Sequence, residues 1–266
     1  MTRKTAKDFD PNILKLFDGY VHGDMSKRDF LRGAGKFLAA GVTASAVLES
    51  LQPNYALAEQ VAPDDPSIET MRVSYDSPDG HGAISGLMAK PAGSADKLPA
   101  VRVIHENRGR NPYIEDVVRR TAKAGYLAFG PDGLSPLGGY PGTDDEGREM
   151  QRSLDRTKLL QDFFAAYEFL TAQEGSTGKV GAVGFCYGGG VCNALAVAYP
   201  DMSASVPFYG RQAAVEDVPR IQAPLLLHYG ELDERINAGW PDFEAALKAE
   251  GKTYEALIYT DAPQGI

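Results

Sequence analysis

Between residues 71 and 259 the chain alternates short apolar runs with longer amphipathic stretches. Apolar runs rich in β-branched and aromatic residues and bounded by Gly, Pro, Asp or Asn predict strands. They fall at 71–75, 83–89, 101–105, 127–129, 179–183, 204–209, 223–229 and 253–259. Between them, apolar positions recur at helical spacing over 113–123, 155–172, 191–198 and 241–249. In 155–172 the apolar stripe comprises Leu159, Leu160, Phe163, Phe164, Tyr167 and Leu170. Ser77-Pro78-Asp79-Gly80 is turn chemistry and predicts a hairpin between the first two strands. From residue 101 onward strands alternate with helices, and each strand is apolar throughout. That combination predicts an α/β fold, with a mostly parallel central sheet covered by helices on both faces. The stretch 135–147, rich in Gly and Pro, predicts a surface loop and a cleft wall.

One of these strands runs into unusual chemistry. After 179–183 comes Gly184-Phe185-Cys186-Tyr187-Gly188, a G-x-C-x-G pattern at a strand-to-helix junction. This is the nucleophile-elbow pattern with cysteine in the serine position. A side chain at either glycine collides with the tight turn or the neighbouring strand. The helix that follows aims free N–H groups at the sulfur and favours its thiolate. The alternative is a glycine-rich turn whose buried cysteine packs as a small hydrophobe. The other cysteine, Cys192, lies six residues on, a poor geometry for bridging Cys186.

Composition narrows the partners. The 266 residues carry a net charge of −9, with 43% hydrophobic and 24% charged residues. This describes one soluble domain with a sizeable core and argues against nucleic acid as a partner. Two cysteines make no disulfide framework. No phosphate loop and no metal-ligand cluster is visible, so no cofactor is expected.

The first 58 residues differ from the rest. Ser26-Lys27-Arg28-Asp29-Phe30-Leu31-Arg32 precedes a weakly apolar stretch over 33–48, and Ala56-Leu57-Ala58 offers small residues for cleavage before Glu59. The segment resembles a twin-arginine export signal, with Lys27 in place of the first arginine. This implies a periplasmic protein; the alternative is a helix retained on a cytoplasmic one. The stretch is too short and too interrupted to span a bilayer stably. Residues 59–70, with Ala62-Pro63-Asp64-Asp65-Pro66, are expected to be a linker.

Glu106, Gly184-Phe185-Cys186-Tyr187-Gly188-Gly189, the corner Gly230-Glu231-Leu232-Asp233 and the last strand together resemble the dienelactone hydrolase family, a branch of the α/β-hydrolase fold. The likeness runs from about residue 71 to 266. It implies hydrolysis of a small carboxylic ester or lactone by a Cys-His-Asp mechanism. Chain order agrees independently, because Asp233 follows Cys186 just beyond an apolar strand. Such an acid orients the imidazole and stabilises imidazolium; a helix-cap aspartate is the other reading. Backbone N–H groups of Tyr187 and of the 106–108 loop are the natural oxyanion pair. In the family a glutamate at the Glu106 position contacts the nucleophile and helps control its ionisation. The alternative is a loop glutamate paired to Arg108 or Arg110.

The third triad member is not in its place. The family's histidine follows the last strand in the pattern Tyr-x-x-Ala-x-His, and here Tyr259-Thr260-Asp261-Ala262-Pro263-Gln264 puts Gln264 there. Glutamine has no titratable group and cannot take the thiol proton. The family's terminal helix is also expected to be missing, so the chain resembles a truncated member. His22 lies in the N-terminal segment, His81 beside the hairpin, and His105 and His228 within strands. Two functions stay open: an ester or lactone hydrolase impaired at its base, and a non-catalytic remnant or binding protein that keeps the pocket. A redox thiol protein is weaker, because no C-x-x-C exists. Arg108, Arg110 and Arg211 are candidates for contacting a substrate carboxylate.

Overall fold

The computed structural model describes residues 8–39, 41–52 and 54–262, and the chain divides into two compact units after Ala58. The first unit is helical: α1 (Pro11–His22), α2 (Lys27–Ala34), α3 (Ala44–Leu51) and the single turn α4 (Tyr55–Ala58). Side-chain caps start the first three. Asp10 accepts from the Asn12 amide, Ser26 from Asp29 and Thr43 from Ala46, and Gly23 ends α1 at φ 84°. Ile13, Tyr20, Phe30, Ala34, Val47 and Leu48 form the unit's own core. Ser26 and Phe30, two residues of the export-like motif, are therefore a helix cap and a fully buried ring. No described helix is long and apolar enough to cross a membrane.

The second unit is built on one eight-stranded sheet. Its elements run β1 (Ile68–Ser77), β2 (Gly82–Pro91), β3 (Leu98–Ile104), α5 (Pro112–Lys123), β4 (Leu127–Pro131), α6 (Asp144–Ser153), α7 (Arg156–Thr171), β5 (Ser176–Phe185), α8 (Tyr187–Ala198), β6 (Ala204–Phe208), β7 (Leu225–Gly230), α9 (Glu234–Asn237), α10 (Trp240–Ala249) and β8 (Tyr254–Tyr259). The strand order is β1-β2-β4-β3-β5-β6-β7-β8. The hairpin β1–β2 and its junction with β4 are antiparallel, and all other pairs are parallel. This is the expected α/β architecture. Apolar clusters fill both faces. One gathers Phe129, Phe163, Leu170, Leu195 and Phe243, and the other Val103, Ile114, Val118 and Ala128. Strands apolar on both sides are what such double coverage requires.

Two departures from the sequence pattern are informative. The stretch 135–147 is only partly loop, since a 3-10 turn spans Ser135–Leu137 and α6 starts at Asp144. Thr143 caps that helix, and Asp144, Asp145 and Glu146 in its first turn suit the positive end of its dipole. The expected linker is also not slack throughout. The amides of Gln60 and Val61 donate to the Asp116 carboxylate, and β1 already begins at Ile68.

Candidate active site

Register sets the site. Ile104 lies opposite Gly184, Phe185 opposite Phe208, and Phe208 opposite His228. The parallel strands β3, β5, β6 and β7 therefore end at one edge, and Glu106, Cys186, Tyr209 and Asp233 all follow those ends. In sheets of this kind, binding crevices lie outside the carboxyl ends of the strands.

Cys186 sits between β5 and α8 at φ 52° and ψ −109°, a backbone region that a residue with a side chain enters only under constraint. The constraint is visible. Its N–H donates to the Phe208 carbonyl at 3.0 Å, which ties the turn to β6. A Cβ on Gly188 would come within 3.0 Å of the carbonyl oxygens of Ile104 and His105, and one on Gly184 would strike Gly188. Glycine at 184 and 188 thus lets three backbones meet beneath the half-buried cysteine. The expected elbow is the structure formed. Cys192 lies on the same helix, fully buried, and burial pushes its thiol up to about 12.

Glu106 is mostly buried, and its carboxylate accepts from Arg108 Nε at 2.7 Å and from a second nitrogen of the same guanidinium. Arg108 also reaches Asp144 at the start of α6, at 3.1 Å, and Tyr140 donates to that carboxylate at 2.9 Å. The ion-pair reading of Glu106 is therefore realised, with Arg108 rather than Arg110. Arg110 is buried elsewhere, 3.6 Å from Glu115 and 3.9 Å from Asp132, and burial lowers its pKa against the pull of those carboxylates. Arg211 is exposed, and its carbonyl accepts from Asn193 on α8.

Tyr209 is a member of this group that sequence reasoning missed. It is buried at φ 39° directly after β6, and its N–H donates to the His228 carbonyl at 2.7 Å. Burial, then the nearby Glu106, Tyr113 and Cys186, hold its hydroxyl well above the usual phenol range, against the opposite pull of Arg108. Gly210 was the available signal. A side chain there would collide with Gly189 of α8, so the residue before it faces a fixed bend.

Asp233 follows β7 and caps α9, accepting from the Ile236 amide at 3.0 Å, so the cap reading holds for one oxygen. The corner is tied to the last strand: Glu231 donates to the Tyr259 carbonyl and Leu232 to that of Ala262, at 3.0 and 2.9 Å. The chain after β8 thus returns to the Asp233 corner. Gln264 lies outside the described residues.

The four histidines are engaged elsewhere. His22 bonds the Asp18 carbonyl in the N-terminal unit. His81 bonds Asp162 at 2.6 Å. His105 stands one residue beyond β3, not within it; its Nδ1 donates to the Glu106 carbonyl and its Nε2 accepts from the Gly133 amide. His228 stacks on Phe208 with ring centres 4.0 Å apart and meets the Tyr259 hydroxyl at 2.9 Å. Among the described residues no group of His, Cys, Asp or Glu is placed to hold a metal ion.

Comparison with known proteins agrees with the fold. The sequence model of the dienelactone hydrolase family matches residues 84–265. The chain belongs to the dienelactone hydrolase family. A second model, described as YqhI-like, matches residues 1–39. A protein of Escherichia coli K12 named as a hydrolase fragment, YghX, is 59% identical over 116 residues, covering 44% of this chain and 99% of its own. One from Saccharolobus solfataricus named as a carboxymethylenebutenolidase is 29% identical over 228 residues, covering 71% of this chain and 86% of its own. The crystal structure of a dienelactone hydrolase from Anabaena variabilis has the same fold, with a TM-score of 0.58 at 24% identity over 74% of this chain and 88% of that one. Family membership makes this chain a hydrolase of the lactone and ester class, with a small-molecule substrate.

Proposed function

We propose that the chain opens carboxylic esters or lactones through Cys186, with Asp233 as the triad acid and Glu106 beside the nucleophile. The observation that carries this reading is the strained Cys186 backbone, held between β5 and α8 by glycines that admit no side chain. A turn of this shape raises the nucleophile above the sheet edge. The sulfur adds to the carbonyl carbon, and the carbonyl π electrons move to the oxygen. The N–H groups of Tyr187 and of the 106–108 loop stabilise that oxyanion. Collapse breaks the acyl C–O bond and leaves a thioester on Cys186, while the proton given up by the thiol passes through water to the departing oxygen, which leaves as an alcohol or stays as the hydroxyl of an opened lactone. Water then hydrolyses the thioester to the acid.

The weak point is the base. All four histidines have other partners, and Gln264 stands in the family's histidine position, two residues past an Ala262 bonded beside Asp233. Loss of a triad member lowers turnover by on the order of 10⁴, while a cysteine keeps some nucleophilicity unaided. The chain therefore acylates and deacylates slowly, and its pocket binds esters and lactones better than it turns them over.

Intact-mass spectrometry after mixing with a p-nitrophenyl ester tests this. The expected result is one acyl group on Cys186, none on a Cys186→Ala variant, and slow release. Ordinary turnover in the Cys186→Ala variant would end the proposal. Ordinary turnover through Cys186 would refute the impaired-base part alone. We also propose that residues 1–58 serve export to the periplasm, on the strength of the Ser26–Arg32 motif and the Ala56-Leu57-Ala58 site.

A further inference from the structure

Glu59, Gln60 and Val61 are clamped onto α5. The amides of Gln60 and Val61 both donate to Asp116 Oδ1, at 3.1 and 2.9 Å. Arg119, on the same helix, donates through Nε to the Val61 carbonyl at 2.7 Å and reaches the Glu59 carboxylate at 3.2 Å. Val61 is buried and belongs to the apolar cluster of Ile114 and Val118. Asp116 Oδ2, by contrast, is buried and accepts no hydrogen bond. The charges facing Asp116 are Arg119 at 3.8 Å and Arg120 at 3.9 Å, both from α5, with Glu59 tied to Arg119 from the connecting segment. A buried carboxylate oxygen lacking a donor is unfavourable and calls for an explanation.

The chain immediately upstream supplies one. The first compact unit ends at Ala58. Ala56 and Ala58 provide the small residues that an export-linked peptidase requires. Leu57 between them is 85% exposed. The helix Tyr55–Ala58 is one turn, too short to resist unwinding into the extended form a peptidase binds.

We infer that the Ala58–Glu59 bond is a processing site and that Asp116 is built to hold the amino terminus this cut creates. The cut rests on the export reading of residues 1–58; the clamp does not. Hydrolysis adds one water across the bond, leaving a carboxylate on Ala58 and an α-amine on Glu59 that takes up a proton. The new ammonium lies one residue upstream of two amides already bonded to Asp116, and it brings donors to Oδ2. Glu59 meanwhile keeps its ion pair with Arg119. The segment therefore stays docked when the first 58 residues leave.

The clamp is tested on the full chain carrying Tyr55→Ile, Ala56→Glu, Leu57→Gly and Ala58→Arg, which a site-specific serine protease cuts immediately before Glu59. The expected result is that the new α-amine is acetylated about fivefold more slowly at pH 8 than in a free peptide of sequence 59–66, because a rise of about one pKa unit from the usual α-amino value near 7.8 leaves about one-fifth as much neutral amine at that pH. Asp116→Asn, which keeps the Oδ1 acceptor and so the fold, should abolish the difference. Peptide-like acetylation in the cut chain overturns the clamp. The processing site is tested separately, by sequencing the amino terminus of unmodified protein secreted by an export-competent cell. A start at Glu59 supports it, and an uncut chain or another start overturns it without touching the clamp result.

Discussion

Arg108 holds the Glu106 carboxylate through two nitrogens, one of them Nε at 2.7 Å, and so fixes a mostly buried carboxylate just beyond the end of β3. The same guanidinium bonds Asp144, and Tyr140 bonds Asp144 in turn, so the start of α6 and the loop before it are tied to Glu106. In water such a pair contributes little, but both side chains here are largely buried.

That pairing makes the first prediction. Arg108→Leu should destabilise the protein by about 1–3 kcal/mol, because it leaves Glu106 and Asp144 partly buried without their cation. Under the proposed mechanism, in which the 106–108 loop donates to the oxyanion, it should also slow acylation of Cys186. Unchanged urea midpoint and unchanged acylation rate together would show that the pair is ornamental.

The two thiols should differ sharply toward alkylating agents. Cys192 is fully buried and its thiol is pushed up to about 12, whereas Cys186 is partly accessible. Brief treatment with iodoacetamide at pH 8 should label Cys186 alone, with Cys192 reacting only after denaturation. Preferential labelling of Cys192 in folded protein would contradict the elbow.

Gly188→Ala should be among the most damaging single methyl groups in the chain. The added carbon meets two backbone carbonyl oxygens at the end of β3, neither of which can rotate away. The expected loss is about 1–3 kcal/mol, read as several degrees of Tm for a unit of this size. Gly35→Ala, where a Cβ meets nothing within 4 Å, is the control and should leave Tm nearly unchanged.

Acid should loosen the floor of the site through His105. Burial, its largest influence, lowers the His105 pKa against the pull of Asp132 and Glu106. The neutral ring accepts from the Gly133 amide at 2.9 Å, which an imidazolium cannot do. A base whose folded pKa is depressed stabilises the fold fully above its unfolded value of about 6.5, and that stability is lost as pH falls below it. Thermal melts at pH 7.5 and 5.5 should show a drop that is smaller in His105→Gln. His228, also lowered by burial, leaves a residual slope. An identical drop in wild type and variant would count against this role.

Much of this protein is determined locally. Continuous apolar strands, turn residues and a 3.6-residue stripe specify the elements, because each reports how a short segment buries its own surface. The elbow is equally local: glycines two residues either side of Cys186 describe a turn, and the turn is complete within five residues. Asp233 was legible for the related reason that a strand end fixes where the next residue emerges. What sequence spacing does not contain is which side chains meet across strands. That Glu106 takes Arg108 and not Arg110 depends on Arg110 being drawn toward Asp132 and Glu115, which come from another strand end and the next helix. Tyr209 joins the site only because β6 lies beside β5 in register, with Gly189 and Gly210 in backbone contact. The clamp of Asp116 on residues 60 and 61 spans 56 and 55 positions of chain. Local pattern encodes burial, whereas partner choice follows from the three-dimensional competition among charges and carbonyls, and only the folded chain sets those distances.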